Sequence, residues 1–530
     1  MKKLICLTAV CLLILSCFTC CSDKTPDTET SSEETTEQQT TDQQEIIDRE
    51  IPVGYYAGKS LNPFKTDSLI NLNLSTLFYD PLFVCDSGYS PEPVIATSYT
   101  NKGKKLTVEL DPDAQFSNGN SITPADVVYS FNLAKRSVFY KNRLASITYA
   151  VEGDSQVVFV LAKEDVFAQN CLNFPIVKHS TGDNALPTGS GRYSVKKEDK
   201  GFMLVANDNS THGEVMSTKK IRLTPVDASD GELYLLQTGD ISYFYEDLSE
   251  EEVTKIGANM VRVPLNNLVY LGINHKSDAL KDKNVIAAIE YALDKTTIAD
   301  AAYKGMCRST DSVFNPDWEQ LKKISIEPVG YSTVKAEEIL EESGYVYVYE
   351  NKYRSKNFKF LEINLVVNTE NKAKLKCAQI IAESLEKAGI KVNLTALTFE
   401  EYLEALENEE FDLYMGEVKL SPNMDLSCFF TEGASASYGI DTGSTVAKAS
   451  ADLSSGNVDV NTFIQVFNEA KPFIPICYRD GIAYFSREIT FEGTVSEYEP
   501  FKNIYSWELG ENQPLQPEQT TAEETENEEQ

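Results

Sequence analysis

Histidine is almost missing from this 530-residue chain: His179, His212 and His275 are the only three, and they lie far apart. Neither an H-E-x-x-H pair nor a nearby Ser and Asp arrangement accompanies them, which removes the common zinc-peptidase and triad-hydrolase designs. A metal-ligand role for His275 is conceivable from its place near mid-chain, although a loop histidine held by hydrogen bonds is the plainer reading. Positive charge is short as well. Lys and Arg number 48 against 81 Asp and Glu, a formal net charge of -33. The clustered basic surface that a phosphate backbone requires is therefore absent, and nucleic acid is excluded as a partner. The cysteines of the body (Cys85, Cys171, Cys307, Cys377, Cys428 and Cys477) show no paired spacing. They define neither a zinc site nor a disulfide framework, and several stand in apolar runs as buried free thiols. Long apolar runs are lacking too. One at residues 4–18 is too short and too abruptly ended for a membrane span.

That short run has another use. Lys2 and Lys3 precede it, as in an export signal, and it closes in LILSCFTCCSD. A Cys after small residues at the end of such a run resembles the lipobox of bacterial lipoproteins. Cys17, with Ser16 before it, fits better than the alternative Cys21, which has Cys20 in the small-residue slot. Two acyl chains on the mature N-terminal Cys would anchor the protein stably to a membrane, facing outside the cytoplasm. Residues 22–49 are Thr, Glu, Gln, Asp and Ser with almost nothing apolar, and residues 510–530 repeat that composition. Neither stretch can bury enough surface to fold, so both read as acidic, disordered extensions. Between them the 42% hydrophobic and 10% aromatic content is that of a globular body, too long for one core.

The body is organised around two extended runs, residues 263–274 and 473–484, which look like paired crossings between two halves. The first leads through Asn274, His275 and Ser277 into a helical pattern with Val285, Ile289, Ala292 and Leu293 on one face, ended by Gly305. Earlier, Leu106, Val108 and Leu110 alternate as a strand, and Thr123 caps a helix with Pro124 in its first turn. Later, a helix runs from about Asn371 to a stop at Gly389, IKVNLTAL alternates as a strand, Thr398 and Glu401 form a capping box, and FDLYMGEV is a further strand. Strands and helices in alternation favour a sheet covered by helices. Gly54, Gly58, Lys59 and Ser60 come near a phosphate-binding loop, but the glycine spacing is one residue short and no suitable strand precedes it.

Several motifs then stand in a telling order: Leu61-Asn62-Pro63, Tyr79-Asp80-Pro81-Leu82, PEPVIA at 91–96, Phe116-Ser117-Asn118-Gly119, TPADVVYS at 123–130, PTGSGRY at 187–193 and LQTGDI at 236–241. With the two crossing runs, this series resembles family 5 extracellular solute-binding proteins, the oligopeptide-, dipeptide- and nickel-binding receptors of ABC importers. The resemblance covers about residues 50–509. It implies an α/β, two-lobed periplasmic-binding-protein-like (type II) fold, with a hinge of two crossing strands and an extra N-terminal subdomain. The expected organisation is signal peptide and lipobox 1–21, tether 22–49, lobe I with its inserted subdomain 50–265, lobe II 266–475, return to lobe I 476–509, and tail 510–530.

The resemblance also implies a ligand gripped between lobes. In peptide-binding members an Asp shortly after the strand matching FDLYMGEV holds the peptide amine; here Leu420 and Ser421 stand near that place. Asp425 or Glu417 takes the charge-pairing role, or the ligand has no free amine. Position adds Tyr270 and Asn274 on the first crossing, Trp318 after Asn315-Pro316, and Tyr438 in EGASASYG as further ligand-binding candidates. The expected protein is a monomeric, non-enzymatic receptor without cofactor or metal. Its partners are a peptide or small solute, ABC permease and ATPase subunits, and the membrane through its lipid. The alternatives are a surface sensor on the same scaffold or an extracellular hydrolase.

Overall fold

The computed structural model describes residues 50–510 apart from 200, 215, 228, 249–257, 349–350 and 491–492. The expected leader, lipidated Cys17 or Cys21, tether and tail lie outside the described residues. Among the described residues, the largest sheet has 11 strands and mixed direction. From one edge its order is Lys391–Leu397, Glu362–Asn368, Leu413–Lys419, Asn259–Ile273, Phe473–Phe485, Tyr243–Glu246, Ile51–Tyr56, Lys220–Val226, Gly201–Ala206 and Tyr193–Glu198; Cys307–Ser309 also pairs with Phe473–Phe485. A separate antiparallel sheet of four strands includes Lys105–Leu110, whose Leu106, Val108 and Leu110 point inward as their alternation predicts.

The two long central strands, Asn259–Ile273 and Phe473–Phe485, are antiparallel neighbours, with Val269 opposite Cys477 and Tyr270 opposite Pro475. The ladder shifts register between Pro264 and Leu268, where proline cannot donate to it. Each strand serves two cores. Val263 and Leu265 of the first, with Ala483 and Phe485 of the second, pack into a core built from residues 51–265 and 483–507. Val269, Leu271 and Ile273, with Ile474, Ile476 and Cys477, pack into another core that includes the helices Lys283–Tyr291, Lys295–Tyr303 and Lys372–Lys387. A third cluster joins Cys85 and Tyr89 to Tyr270, Trp318, Tyr414 and Phe463.

Local signals explain most element ends. Thr123 and Asp126 form a reciprocal capping box on Pro124–Ala134, and Thr398 and Glu401 do so on Phe399–Glu407. Asn371 caps Lys372–Lys387, and Gly389 follows at φ +84°. The helical pattern ending at Gly305 is two helices rather than one, because Asp294 accepts from Thr297 N and starts a second. Of the six body cysteines, all free, Cys428 is half-buried and the other five are buried.

One helix buries an unusual acid group. Glu232, 2% exposed, sits on Ser229–Thr238 against the strand Ile51–Tyr56, and burial with Glu246 nearby pushes its carboxyl up to about 8. The folded state therefore keeps a proton that the unfolded chain loses above the ordinary carboxylate range. Stability is expected to fall as pH rises from that range through about 8. Glu232→Gln should gain roughly 2–4 kcal/mol over the parent near pH 8.5 and almost nothing near pH 4, as read from urea melts of both proteins.

Candidate functional site

A cavity of about 690 Å³ is lined mostly by side chains around the first core, and Lys419 reaches in from the end of Leu413–Lys419. Four separate parts of the chain contribute to its wall. The helix Leu69–Ser75, capped by Ser68, contributes Leu69, Leu72 and Asn73. The residues after Pro124–Ala134 contribute Phe139, Tyr140 and Arg143, and the stretch beyond the second long strand contributes Glu497, Tyr498 and Tyr505. The Gly-rich turn contributes Arg192. A Cβ on Gly189 would stand 2.1 Å from the Phe78 carbonyl oxygen, and one on Gly191 would stand 2.6 Å from the Phe78 carbonyl carbon, so only glycine lets that turn lie on this segment.

Most charges in the wall are paired. His212 Nε2 is 2.9 Å from Asp80 Oδ1, Arg192 donates to Glu214 at 2.7 Å, and Lys502 to Glu499 at 2.8 Å. Burial raises Glu214, and the Arg192 hydrogen bond and charge, a backbone hydrogen bond and His212 together outweigh it, holding that carboxyl below its usual range. Lys419 Nζ lies 2.6 Å from Glu497, whose other oxygen accepts from Asn266 N at 2.9 Å. Arg143 differs. Its NH1 donates to Asn173 Oδ1 at 2.7 Å, its guanidinium stands 5.3 Å from the rings of both Tyr140 and Tyr498, and no carboxylate pairs with it among the described residues. Burial pushes the Tyr140 hydroxyl up to about 12, and burial followed by Glu497 raises that of Tyr498.

None of the six residues named from the sequence lines this cavity. Tyr270 is buried, its ring against Tyr414, Phe429 and Phe473 and its hydroxyl 3.2 Å from that of Tyr414. Asn274 donates to Phe411 O at 2.9 Å, and His275 Nε2 is 3.2 Å from Pro472 O, with burial lowering that imidazole. Tyr438 meets Tyr414 edge-on, so Tyr270, Asn274 and Tyr438 gather around Tyr414 and the loop at Gly439, whose carbonyl accepts from His275 N. Trp318 belongs to the same core as Tyr270 and packs on Phe314 and Phe167. Glu417 accepts from Arg479 at 2.6 Å and from Asn267 at 3.0 Å. Asp425 accepts from Ser427 N at 3.2 Å, two residues ahead of the short helix Ser427–Phe430, and lies 4.0 Å from Lys163. Both carboxylates are thus engaged within the protein.

The cavity residues were within reach of the sequence only where a motif carried them: Tyr79, Asp80 and Pro81 in one, Glu92, Pro93 and Val94 in a second, Arg192 in a third. Arg143, Lys419, Glu497 and Tyr498 belong to no motif. Their meeting depends on the return of the chain along Phe473–Phe485.

A mixed sheet threaded by two long shared strands, with a core at each end and a wall cavity of ligand size, defines a solute-binding fold of the two-lobed type II class. The chain belongs to the bacterial extracellular solute-binding proteins, family 5, whose middle-region model matches residues 90–435. It is 26% identical over 340 residues to the oligopeptide-binding protein AppA of Bacillus subtilis, covering 58% of this chain and 61% of that protein. To the nickel-binding periplasmic protein of Escherichia coli it is 23% identical over 346 residues, 60% of this chain and 66% of the relative. The matched stretch thus spans under two thirds of both relatives. The fold covers more. The AppA structure in complex with a nonapeptide superimposes with a TM-score of 0.57 at 21% identity, over 87% of this chain and 99% of that one. NikA of Brucella suis in complex with Fe(III)-EDTA does so with a TM-score of 0.66 at 17% identity, over 86% and 99%. Among the described residues no helix is long and apolar enough to cross a membrane.

Proposed function

We propose that this protein is the substrate-binding receptor of an ABC importer, capturing peptides between its lobes and delivering them unaltered to a membrane permease with its ATPase. The cavity of about 690 Å³ carries the proposal: it has the volume of a small-molecule site, aromatic walls and a few convergent polar groups. Kinship with an oligopeptide-binding protein supports peptides as the cargo. In this proposal lobe I comprises residues 50–265 and 476–509 and lobe II residues 266–475, and the two long strands act as the hinge. Lys419 and Glu497, brought together from the two lobes, help hold the closed form. The protein acts as a monomer without catalysis, tethered outside the cytoplasm through acylated Cys17, or Cys21 in its place.

Calorimetry and small-angle scattering of the purified mature protein test the proposal. A pool of three- to five-residue peptides should raise the melting temperature and shrink the particle. At about 100 times the dissociation constant, ligand should add roughly 2.7 kcal/mol of stability. No shift and no compaction with any peptide pool would refute peptide capture.

A further inference from the structure

Away from the cavity, one short segment fastens the two halves to each other. Residues 163–170 follow the strand Gln156–Leu161 and fall in lobe I of the division proposed above, yet their contacts run to lobe II. Val166 N donates to Ser454 O at 2.8 Å, Asn170 Nδ2 to Pro422 O at 3.2 Å, and Asn423 Nδ2 to Asp165 Oδ2 at 2.7 Å. Phe167 meets the Trp318 ring edge-on at 5.3 Å, and Lys163 lies 4.0 Å from Asp425. The segment is fixed on its own side as well, because Asn101 donates to Asp165 O and Asn170 to Tyr89 O, both at 2.7 Å. A hinge motion that parts the lobes about the two long strands breaks the contacts to lobe II together.

The acid in this contact, Asp165, is 4% exposed. Its Oδ1 accepts from Phe167 N at 2.9 Å and its Oδ2 from Asn423. Burial pushes the carboxyl up to about 6 against those two hydrogen bonds, with Asp425 raising it further and Lys163 lowering it. The buried Cys171 thiol also faces it, while Asn101, from the strand Ala96–Lys102, brings no charge. Asn423 has an unmet need of its own. It is 5% exposed, and its Oδ1 is buried without a hydrogen-bond partner. An ionised carboxylate only accepts and cannot serve that oxygen, whereas a protonated one has a hydroxyl to donate. The pair is therefore better matched when Asp165 is neutral.

We infer, resting on the two-lobe capture proposed above, that residues 163–170 are a latch holding lobe I closed on lobe II, and that Asp165 on Asn423 makes the latch release as pH rises. Opening returns Asp165 to water, where a carboxylate ionises above about 4. The closed form thus keeps a proton that the open form gives up, so closure is strongest below about pH 6 and weakens as pH climbs through it. Between pH 5 and pH 7.5 the closing equilibrium should fall about 3- to 10-fold, the larger figure applying if closure supplies all of the burial of Asp165.

Hydrogen exchange of the Val166 amide reads the latch with no cargo present, since its bond to Ser454 exists only when the segment is seated. Corrected for the intrinsic pH dependence of exchange, its protection should fall about 3- to 10-fold from pH 5 to pH 7.5. Release of a pool of three- to five-residue peptides, followed by stopped flow, should quicken by a similar factor. Asp165→Asn, neutral at every pH and with an amide hydrogen for Asn423 Oδ1, should abolish both dependences and keep the slow release seen at pH 5. Asn423→Asp sets a second carboxylate against the first and should make both dependences steeper than in the parent. Melting temperatures at pH 5 report whether each variant is folded, and either variant alone decides the matter. A pH-independent Val166 protection in the parent, or the parent's dependence persisting in folded Asp165→Asn or Asn423→Asp protein, would overturn the latch while leaving peptide capture intact. The expected exchange behaviour with no peptide binding at either pH would uphold the latch and refute peptide capture.

Discussion

Arg479→Met is expected to lower the stability of the protein by about 3–5 kcal/mol, measured by urea unfolding. Arg479 lies on the second long strand and is 2% exposed. Its Nε donates to Glu417 Oε1 at 2.6 Å, and its NH1 to the carbonyl of Asp247 at 2.9 Å. Glu417 is itself half-buried, its side chain 11% exposed, and its remaining polar neighbours are Asn267 and Lys374, the latter 3.8 Å away. Removing the guanidinium therefore leaves a carboxylate in a poorly solvated place, and that desolvation is the main cost. The next residue, Asp480, points to the opposite face of the strand and is held by Arg308 at 3.0 Å and Arg262 at 3.7 Å. The hinge region thus has buried charge on both faces. The double change Glu417→Gln with Arg479→Met should recover at least about 1 kcal/mol of the single loss, since both ends of the pair are then neutral. A single-variant loss below about 1 kcal/mol would mean that the pair is solvated and contributes as a surface ion pair does.

Gly416→Val should be nearly as damaging, at about 3 kcal/mol or more, because two tyrosines lie across two glycines. In the antiparallel register Tyr270 faces Gly416 and Tyr414 faces Gly272. A Cβ on Gly416 would stand 2.2 Å from Tyr270 Cζ, and one on Gly272 would stand 2.0 Å from Tyr414 Cε1. Each ring lies over the bare backbone of the facing strand, which brings the two hydroxyls to 3.2 Å. Tyr270 cannot move aside, since Phe429 and Phe473 close behind it at centroid distances of 5.1 and 5.0 Å. The cause can be isolated by repeating Gly416→Val in a Tyr270→Ala background. Its cost should there fall by at least about 1 kcal/mol, and an unchanged cost would assign the damage to the backbone rather than to the ring.

These two sites show where sequence and structure part. The strand character of both crossings was legible, because dense Val, Leu, Ile and Tyr leave little else for such a run to become. The capping boxes at Thr123 and Thr398 were legible for a similar reason: their partners lie three residues away, and a local hydrogen bond needs only local sequence. The motif series read in order led to the family, whose model matches residues 90–435. The break of one helical pattern into two at Asp294 was a missed local signal, since the side chain that caps the second helix interrupts the apolar spacing only briefly.

Side-chain roles were another matter. Glu417, Asp425, Trp318 and Tyr270 were chosen because carboxylates and aromatics near a crossing are the residue types that ligands need. Burial and packing of the same types can serve the fold instead, and what decides is which neighbour arrives from far away. For Glu417 the neighbour is Arg479, 62 residues later; for Trp318 it includes Phe167 from the N-terminal half. Arg143 had no distinguishing pattern at all. It becomes notable only because Tyr498, from the stretch beyond the second long strand, is carried back to it.

By itself, then, the sequence determined the acidic globular body, the kinds of elements and their local ends, and the kin it keeps, since each follows from composition or from residues a few positions apart. Only the tertiary structure decided which charges neutralise one another and which side chains line the cavity. Coulomb pairing and burial depend on distance in space, and the chain sets that distance through two long strands whose partners lie some two hundred residues apart.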